Sequence, residues 1–226
     1  MALTLYHCAD ARSFRALWAL EELGLAYELK LLPFPPRVLA PEYLAENPLG
    51  TIPLLVDGST RMTESAAIAQ YLATRDGPTP LSVEPGDPAY GAWLNGLHFG
   101  EATLTFPQTL VLRYTRLEPK ERRNPQVADD YGRWFSARLK GLSPRLAEGG
   151  GWYCAGRFTA ADISVGYALL LAEHLGLAPQ WGPATTAYWQ RLQARPAFQR
   201  ALAAEQAAAR AQGVDPTPSP ALRPQV

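Results

Sequence analysis

Cysteine and histidine are scarce in this chain of 226 residues. It has two cysteines, Cys8 and Cys154, and three histidines, His7, His98 and His174. Two cysteines cannot build a disulfide framework or a cysteine-based zinc site, and the histidines share no spacing typical of metal ligands. We therefore expect no metal, and we expect a reducing cytoplasm as the compartment.

The sequence also lacks net charge and long apolar runs. Lys plus Arg and Asp plus Glu both number 21, so the formal net charge is zero, without the positive field that non-specific nucleic-acid binding needs. No apolar run approaches the ~18 residues of a membrane span, and the first residues do not resemble a signal peptide. We expect no nucleic-acid or membrane partner. Arginine far outnumbers lysine, which is typical of a GC-rich bacterial genome.

Two regions of different character follow each other along the chain. Residues 1–76 predict the order β-α-β-α-β-β-α, an α/β unit with a mixed sheet. Residues 77–88 are rich in proline and glycine and predict a linker. Residues 89–212 predict an all-helical region, and the proline-rich residues 213–226 predict a disordered tail.

Helical periodicity in the second region predicts four long segments: Ala89–Thr115 with a kink at Pro107, Gln126–Leu146, Ala160–Leu175 and Thr185–Ala211. The third begins with the pattern S/T-x-x-D at Thr159 and Asp162, which predicts a capping box. Its role is in folding rather than in catalysis.

Three short features of the first region have chemical potential. Pro53 follows Thr51 and Ile52 at the start of a predicted strand, where a cis bond would turn the Ile52 main chain toward an extended ligand and a trans bond would only open an edge strand. Glu64 and Ser65 precede a predicted helix, where they suit the zwitterionic head of an amino acid or simply cap the helix. The turn from residue 7 to residue 15 follows the first strand, at the ligand-facing edge of α/β units.

These features resemble the cytosolic glutathione transferases, and the resemblance covers nearly the whole chain. The matching segments are LTLYHCADARSFRALWALEELGLAYEL, NPLGTIPLLVDG, TESAAIAQYLA, FTAADISVGYALL and RPAFQRA. The first helix is similar to that of bacterial and fungal members reading S-R-S-x-R-x-L-W. The resemblance implies a thioredoxin-like N-terminal domain, an all-helical C-terminal domain, a homodimer, and glutathione as co-substrate.

The resemblance also implies roles for particular residues. Thr51, Ile52 and Pro53 match the cis-proline element that pairs with the cysteinyl part of glutathione, and Glu64 and Ser65 match the acid–serine pair that holds the γ-glutamyl head. Separately from the resemblance, the charge of Arg37 and its place in the proline-rich loop suggest it as a partner for the glycyl carboxylate.

The group that activates the thiol is less well defined by the sequence. The usual serine positions fall on Asp10 and Ala11, which have no hydroxyl. A donor must stabilise the thiolate, which is the nucleophile. Ser13 at the helix start, Tyr6 at the end of the first strand, Arg12 and backbone N–H groups stay open as alternatives, although Ser13 could serve as a helix cap and Tyr6 could simply be packed.

The second substrate is expected to bind against the first helix of the helical region. By resemblance, one face of that helix lines the electrophile pocket and the other the dimer interface, with Phe106, Leu110, Arg113 and Tyr114 as pocket candidates. The predicted function is a glutathione transferase acting on a small apolar electrophile. A glutathione-dependent disulfide or peroxide reductase and a non-catalytic binding module are the alternatives.

Overall fold

The computed structural model describes residues 3–221 of the chain. Its N-terminal part contains a four-stranded mixed sheet in the order β2-β1-β3-β4. β1 pairs in parallel with β2, and β3 lies antiparallel to both β1 and β4. The strands are β1 Leu3–His7, β2 Tyr27–Leu31, β3 Leu54–Asp57 and β4 Thr60–Met62. The expected α/β start of the chain is therefore confirmed.

Helices cover the sheet and connect its strands. In the first helix, α1, every residue from Phe14 to Leu20 is buried, because other helices as well as the sheet pack around it. It ends at Gly24, whose φ of 62° belongs to the left-handed region that suits glycine at a helix end. The helices of this part are α1 Phe14–Leu23, α2 Pro36–Leu39 and α3 Ser65–Thr74, with a 3-10 turn at Pro41–Ala45.

The rest of the described chain is helical, as expected. Its helices are α4 Tyr90–His98, α5 Phe106–Leu112, α6 Pro125–Leu139, α7 Leu142–Glu148, α8 Ala160–His174, α9 Pro183–Gln193 and α10 Pro196–Gln212. Two π-helical segments, Phe99–Thr105 and Arg113–Leu117, extend α4 and α5 into one long rod. α3 ends and α4 begins on either side of the predicted linker, and the domain boundary itself stays a prediction.

Two predicted helices are each divided in the structure. The segment predicted over Gln126–Leu146 breaks near Gly141 into α6 and α7. The segment predicted over Thr185–Ala211 breaks at Arg195, whose extended ψ of 131° is the conformation that a following proline favours. The periodicity of apolar residues did not reveal these two breaks, because an apolar face continues in the helices on both sides of each break.

α8 is the centre of the helical core. Residues Ala160 to Ala172 are all buried, and the predicted capping box of Thr159 and Asp162 is confirmed. A Cβ on Gly166 would lie 2.8 Å from the Trp18 ring, so glycine there lets α1 approach α8 closely. The α/β part and the helical part thus share one core.

The tail differs from its prediction. Residues 213–221 are placed against the rest of the protein: the Ser219 N–H donates to the Ala9 carbonyl at 2.8 Å, and Arg116 donates to the Pro220 carbonyl. Ser219 and Pro220 are buried, because the segment covers apolar surface that composition alone did not reveal. Residues 222–226 of the predicted tail lie outside the described residues.

None of the helices between residues 3 and 221 combines the length and the apolar character that a membrane crossing requires.

Candidate active site

A cavity of about 640 Å³ lies between the α/β part and the helical part. Among the residues predicted to bind ligand or substrate, it brings together Arg12, Arg37, Thr51, Ile52, Pro53, Glu64, Ser65 and Arg113. These positions are spread over a hundred residues of sequence. Their convergence makes this cavity the candidate active site.

One wall of the cavity is the loop that enters β3. The peptide bond between Ile52 and Pro53 is cis, which is the first of the two readings left open by the sequence. The Thr51 carbonyl accepts hydrogen bonds from Tyr43 Oη and Asn47 Nδ2, both at 2.8 Å. Because β3 begins at Leu54, the Ile52 main chain lies outside the sheet ladder at the cavity.

The start of α3 forms the next part of this wall. Glu64 is the N-cap residue, but its side chain makes no capping hydrogen bond and is exposed at the cavity. Simple helix capping therefore does not account for this carboxylate. The buried Ser65 Oγ accepts a hydrogen bond from Arg15 Nη1 at 3.1 Å. Its own hydroxyl hydrogen is consequently available to an acceptor in the cavity.

Arg15 is fully buried behind Ser65, and sequence analysis did not identify it. A guanidinium has five N–H donors, and each finds an acceptor here. The acceptors are Ser65 Oγ, Glu101 Oε2 at 2.5 Å, Thr105 Oγ1 at 2.7 Å, and the carbonyls of Gly100 and Ser164 at 3.2 Å. The sequence did contain a signal for this role, because Arg15 stands among the apolar residues Phe14, Leu17 and Trp18 of α1. A charged side chain that is buried in this way requires polar partners.

Glu101 connects Arg15 to Arg12. Its other oxygen accepts from Arg12 Nε at 2.7 Å, and Arg12 Nη2 donates to Thr109 Oγ1 at 2.7 Å. Burial raises the pKa of Glu101, but the guanidinium groups of Arg15 and Arg12 outweigh it and hold that pKa below its usual value. Within this trio two cations face one anion, and the Arg12 side chain, 32% exposed, lines the cavity.

Ser13 and Tyr6, the first two candidates for thiol activation, lie outside the cavity lining. Ser13 is fully buried, with its Oγ 2.7 Å from His7 Nδ1, and it makes no side-chain cap. Arg12 lines the cavity, whereas the next residue, Ser13, faces the buried side of the turn. Tyr6 packs against Tyr43 with ring centroids 5.3 Å apart, and its hydroxyl lies near Lys30 Nζ.

The electrophile side of the cavity also departs from prediction. Arg113 lines it, whereas Phe106, Leu110 and Tyr114 do not, and the Phe106 side chain is 51% exposed. Thr109 and Leu112 line the cavity from the regular α5, whereas Phe106 and Leu110 of the same helix do not, a choice of face that the sequence alone could not make. The observed lining comes from Thr109, Leu112, Leu117, Tyr167, Leu171 and Pro220. Tyr167 and Pro220 were missed because they belong to a buried helix and to the supposed tail.

Comparison with known proteins identifies the family. Residues 1–74 match the family model of the glutathione S-transferase N-terminal domain. The chain is 31% identical to glutathione S-transferase 3 of Zea mays over 204 residues, which are 84% of this chain and 88% of that protein. It is 33% identical to glutathione S-transferase 4 of Zea mays over 193 residues, 81% of this chain and 83% of that protein. The chain belongs to the glutathione S-transferase family.

Solved structures agree with this assignment. The crystal structure of glutathione transferase URE2P6 from Phanerochaete chrysosporium, in complex with oxidized glutathione, is 28% identical with a TM-score of 0.79. The similarity covers 91% of this chain and 97% of that chain. The predicted thioredoxin-like domain followed by an all-helical domain is therefore confirmed as the fold class.

Proposed function

We propose that this protein is a transferase that conjugates glutathione to a small apolar electrophile. One observation carries the proposal: the cis Ile52–Pro53 element, the Glu64–Ser65 pair and the Arg12 guanidinium line the same cavity. They provide, in turn, a main-chain partner for a peptide, a site for an amino-acid head and a cation for a thiolate.

Glutathione lies extended along the α/β wall in this proposal. The Ile52 main chain pairs with its cysteinyl unit, Glu64 binds its ammonium group and Ser65 donates to its γ-glutamyl carboxylate. Arg15 supports this by occupying the acceptor side of Ser65 Oγ. Arg37 lines the cavity near Gly50 and pairs with the glycyl carboxylate.

Arg12 is the group that we assign to the thiol. A cation within a few ångströms favours the charged form of a thiol and lowers its pKa. The thiol proton leaves to solvent, the thiolate attacks the electrophilic carbon, and a carbon–sulfur bond forms as the leaving group departs with its electron pair. The apolar side chains of Leu112, Leu117 and Leu171 offer the surface for the electrophile.

Disulfide reduction by a protein thiol is disfavoured by the position of Cys8. Its thiol is buried, burial raises its pKa far above the usual value, and it is not part of the cavity lining. Thiolates rather than thiols are the reactive species. Cys8 is thus unsuited to a redox role.

Calorimetric titration with reduced glutathione, followed by turnover of a chlorodinitrobenzene and of a glutathione mixed disulfide, tests the function. We expect heat on titration and conjugation of the aryl halide. Turnover of the disulfide alone would establish the reductase instead. Absence of both turnover and heat would leave a non-catalytic module.

We further propose that the protein works as a cytoplasmic homodimer in bacterial detoxification. Both cysteines are free, which suits a reducing compartment, and the dimer rests on the family resemblance. Light scattering on the purified protein measures the oligomeric state directly, and a monomer at micromolar concentration would contradict the dimer.

A further inference from the structure

A buried chain of three polar side chains lies directly behind the cavity. Ser13 Oγ is 2.7 Å from His7 Nδ1, and His7 Nε2 is 2.8 Å from Glu205 Oε2. The three residues come from the start of α1, the end of β1 and the middle of α10. None is more than 1% exposed, so the chain makes no contact with solvent or with the cavity.

This chain binds the turn between β1 and α1 from behind. Glu205 Oε2 also accepts from the Asp10 N–H at 3.2 Å, and Ser13 Oγ accepts from the Cys8 N–H at 3.3 Å. Asp10 has a φ of 50°, in the left-handed region that non-glycine residues rarely adopt. Such a conformation persists only where surrounding contacts enforce it.

The same turn presents the thiol-side wall to the cavity. Ala11 and Arg12 follow Asp10 and line the cavity, and Arg12 is the cation that we assign to the thiol. A change of the Asp10 backbone would move both residues relative to a glutathione that is held independently by the β3 loop and α3. The position of Arg12 therefore depends on contacts that the turn makes on its buried side.

We propose that Glu205, His7 and Ser13 are positioning residues, which fix the turn from Cys8 to Arg12 in the conformation that aims Arg12 at the thiol. This inference rests on the proposed function. The role of Ser13 is thus to hold the turn from its buried face rather than to touch sulfur. Through Glu205, the last long helix supports the turn from behind, 198 residues from its partner His7.

Charged and polar groups of other packed elements also face this turn. The Asp10 carboxylate faces His174 of α8, with Oδ2 3.1 Å from Nε2, and the Cys8 thiol lies toward the Pro33 carbonyl. Tyr167 Oη donates to the Asp10 carbonyl at 3.4 Å. These contacts hold the same turn, so the three residues act within a larger set that converges on Asp10.

The test uses Ser13→Ala and Glu205→Gln in the full-length protein. Ser13→Ala removes a hydroxyl that caps no helix, so this variant is expected to fold. The test can therefore be read from Ser13→Ala even if Glu205→Gln does not fold. We expect the pKa of the bound thiol, read from the pH profile of kcat/KM for the aryl halide, to rise by about one unit. At a pH below the thiol pKa this means an approximately tenfold lower rate, while KM for glutathione stays within about twofold because its own subsite is untouched.

Glu22→Gln is the matched control. Glu22 also joins α1 to the region of α10, through two hydrogen bonds to Arg195 at 2.6 and 2.8 Å, but it does not contact the turn. We expect it to lower Tm and to leave the thiol pKa unchanged. The double variant Arg12→Gln with Ser13→Ala is expected to lose little beyond Arg12→Gln alone, because the positioned group is already gone.

A normal pH profile in Ser13→Ala, with or without a lower Tm, would overturn the inference and leave the chain a structural contact only. A rise in KM for glutathione without a change in the thiol pKa would overturn it as well. Failure of the wild-type protein to bind glutathione would contradict the proposed function instead, so the two outcomes are distinguishable.

Discussion

The two walls of the cavity are held in place in different ways. The glutathione wall comes from residues 51–65, and its loop is fixed by short-range contacts, such as those of Tyr43 and Asn47 with the Thr51 carbonyl, eight and four residues away. The other wall, formed by Ala11 and Arg12 and called the thiol wall, depends on contacts between distant parts of the chain. Arg12 contacts Glu101, which is 89 residues away, and His7 behind the turn contacts Glu205, which is 198 residues away. The loop that carries Ile52 is therefore built by local contacts, whereas the environment proposed for the thiol requires both parts of the molecule.

Arg15 is the point where the two walls meet. It donates to Ser65 on the glutathione side and to Glu101 on the thiol side. Because all its donors are satisfied in a fully buried position, removing it leaves several acceptors and the Glu101 carboxylate without their partner. A substitution of Arg15 should therefore disturb both walls at once.

Arg15→Met is expected to have the largest effect. It keeps the length of the side chain and removes the buried charge, and breaking a buried ion pair costs ~3–5 kcal/mol. Urea unfolding followed by tryptophan fluorescence measures the loss. Arg133→Met is the control, since Arg133 forms ion pairs with Asp129 and Asp130 on an exposed surface and should cost less than ~1 kcal/mol. Equal losses in the two variants would contradict the role of Arg15.

Glu64→Gln tests the local wall by itself. The amide keeps the shape of the side chain but loses the charge that binds the ammonium group of glutathione. Hydrogen bonds between charged groups contribute ~1.5–3 kcal/mol, so KM for glutathione should rise about 10- to 100-fold. The rate at saturating glutathione should stay near that of the wild type, because the thiol wall is intact. Glu46→Gln, an exposed acid paired with Arg61, should leave KM unchanged.

This difference between the walls also explains what could be predicted from the sequence. Ile52–Pro53 and Glu64–Ser65 are pairs of adjacent residues whose geometry follows from local rules, so their place at the cavity could be anticipated. The choice among Ser13, Tyr6 and Arg12 could not, because it depends on Glu101 and Glu205, and no local pattern connects these acids to the turn. Asp10, with its left-handed backbone, belongs to the turn in which Ser13 is buried and Arg12 lines the cavity.

The residues that line the electrophile side of the cavity could not be predicted from the sequence either. Phe106, Leu110 and Tyr114 were named by resemblance on a long helix whose pocket face the sequence could not identify, and the cavity lies against Thr109, Leu112 and Arg113 instead. The tail was predicted as disordered from its prolines, yet Pro220 lines the cavity because Arg116 and the Ala9 carbonyl hold its segment. Composition reports what a segment would do alone, and the order of the tail arises from contacts with distant residues.

Arg12→Gln examines the thiol wall directly. An opposite charge nearby lowers a pKa by about 1–3 units, so removing it should raise the pKa of the bound thiol by ~1–2 units. The lower limb of the pH profile of kcat/KM should move to higher pH by that amount, with the loss of rate largest at acidic pH. Arg12→Lys keeps the positive charge without the hydrogen bonds, so the pKa of the bound thiol should lie between those of the wild type and Arg12→Gln. A profile unchanged in Arg12→Gln would exclude Arg12 as the thiol group.

Phe106→Ala is expected to have the smallest effect and tests which face of the long helix is used. Its side chain is half exposed and lies outside the cavity lining, so kcat/KM for the aryl halide should stay within about twofold of the wild type, and the free energy of unfolding within ~0.5 kcal/mol. Leu117→Ala is the comparison, because Leu117 lines the cavity and its loss should raise KM for the electrophile about tenfold. Light scattering alongside the kinetics separates a change of oligomeric state from a change in the pocket. A loss in Phe106→Ala equal to that in Leu117→Ala, with the oligomeric state unchanged, would place the electrophile on the face of the long helix that carries Phe106.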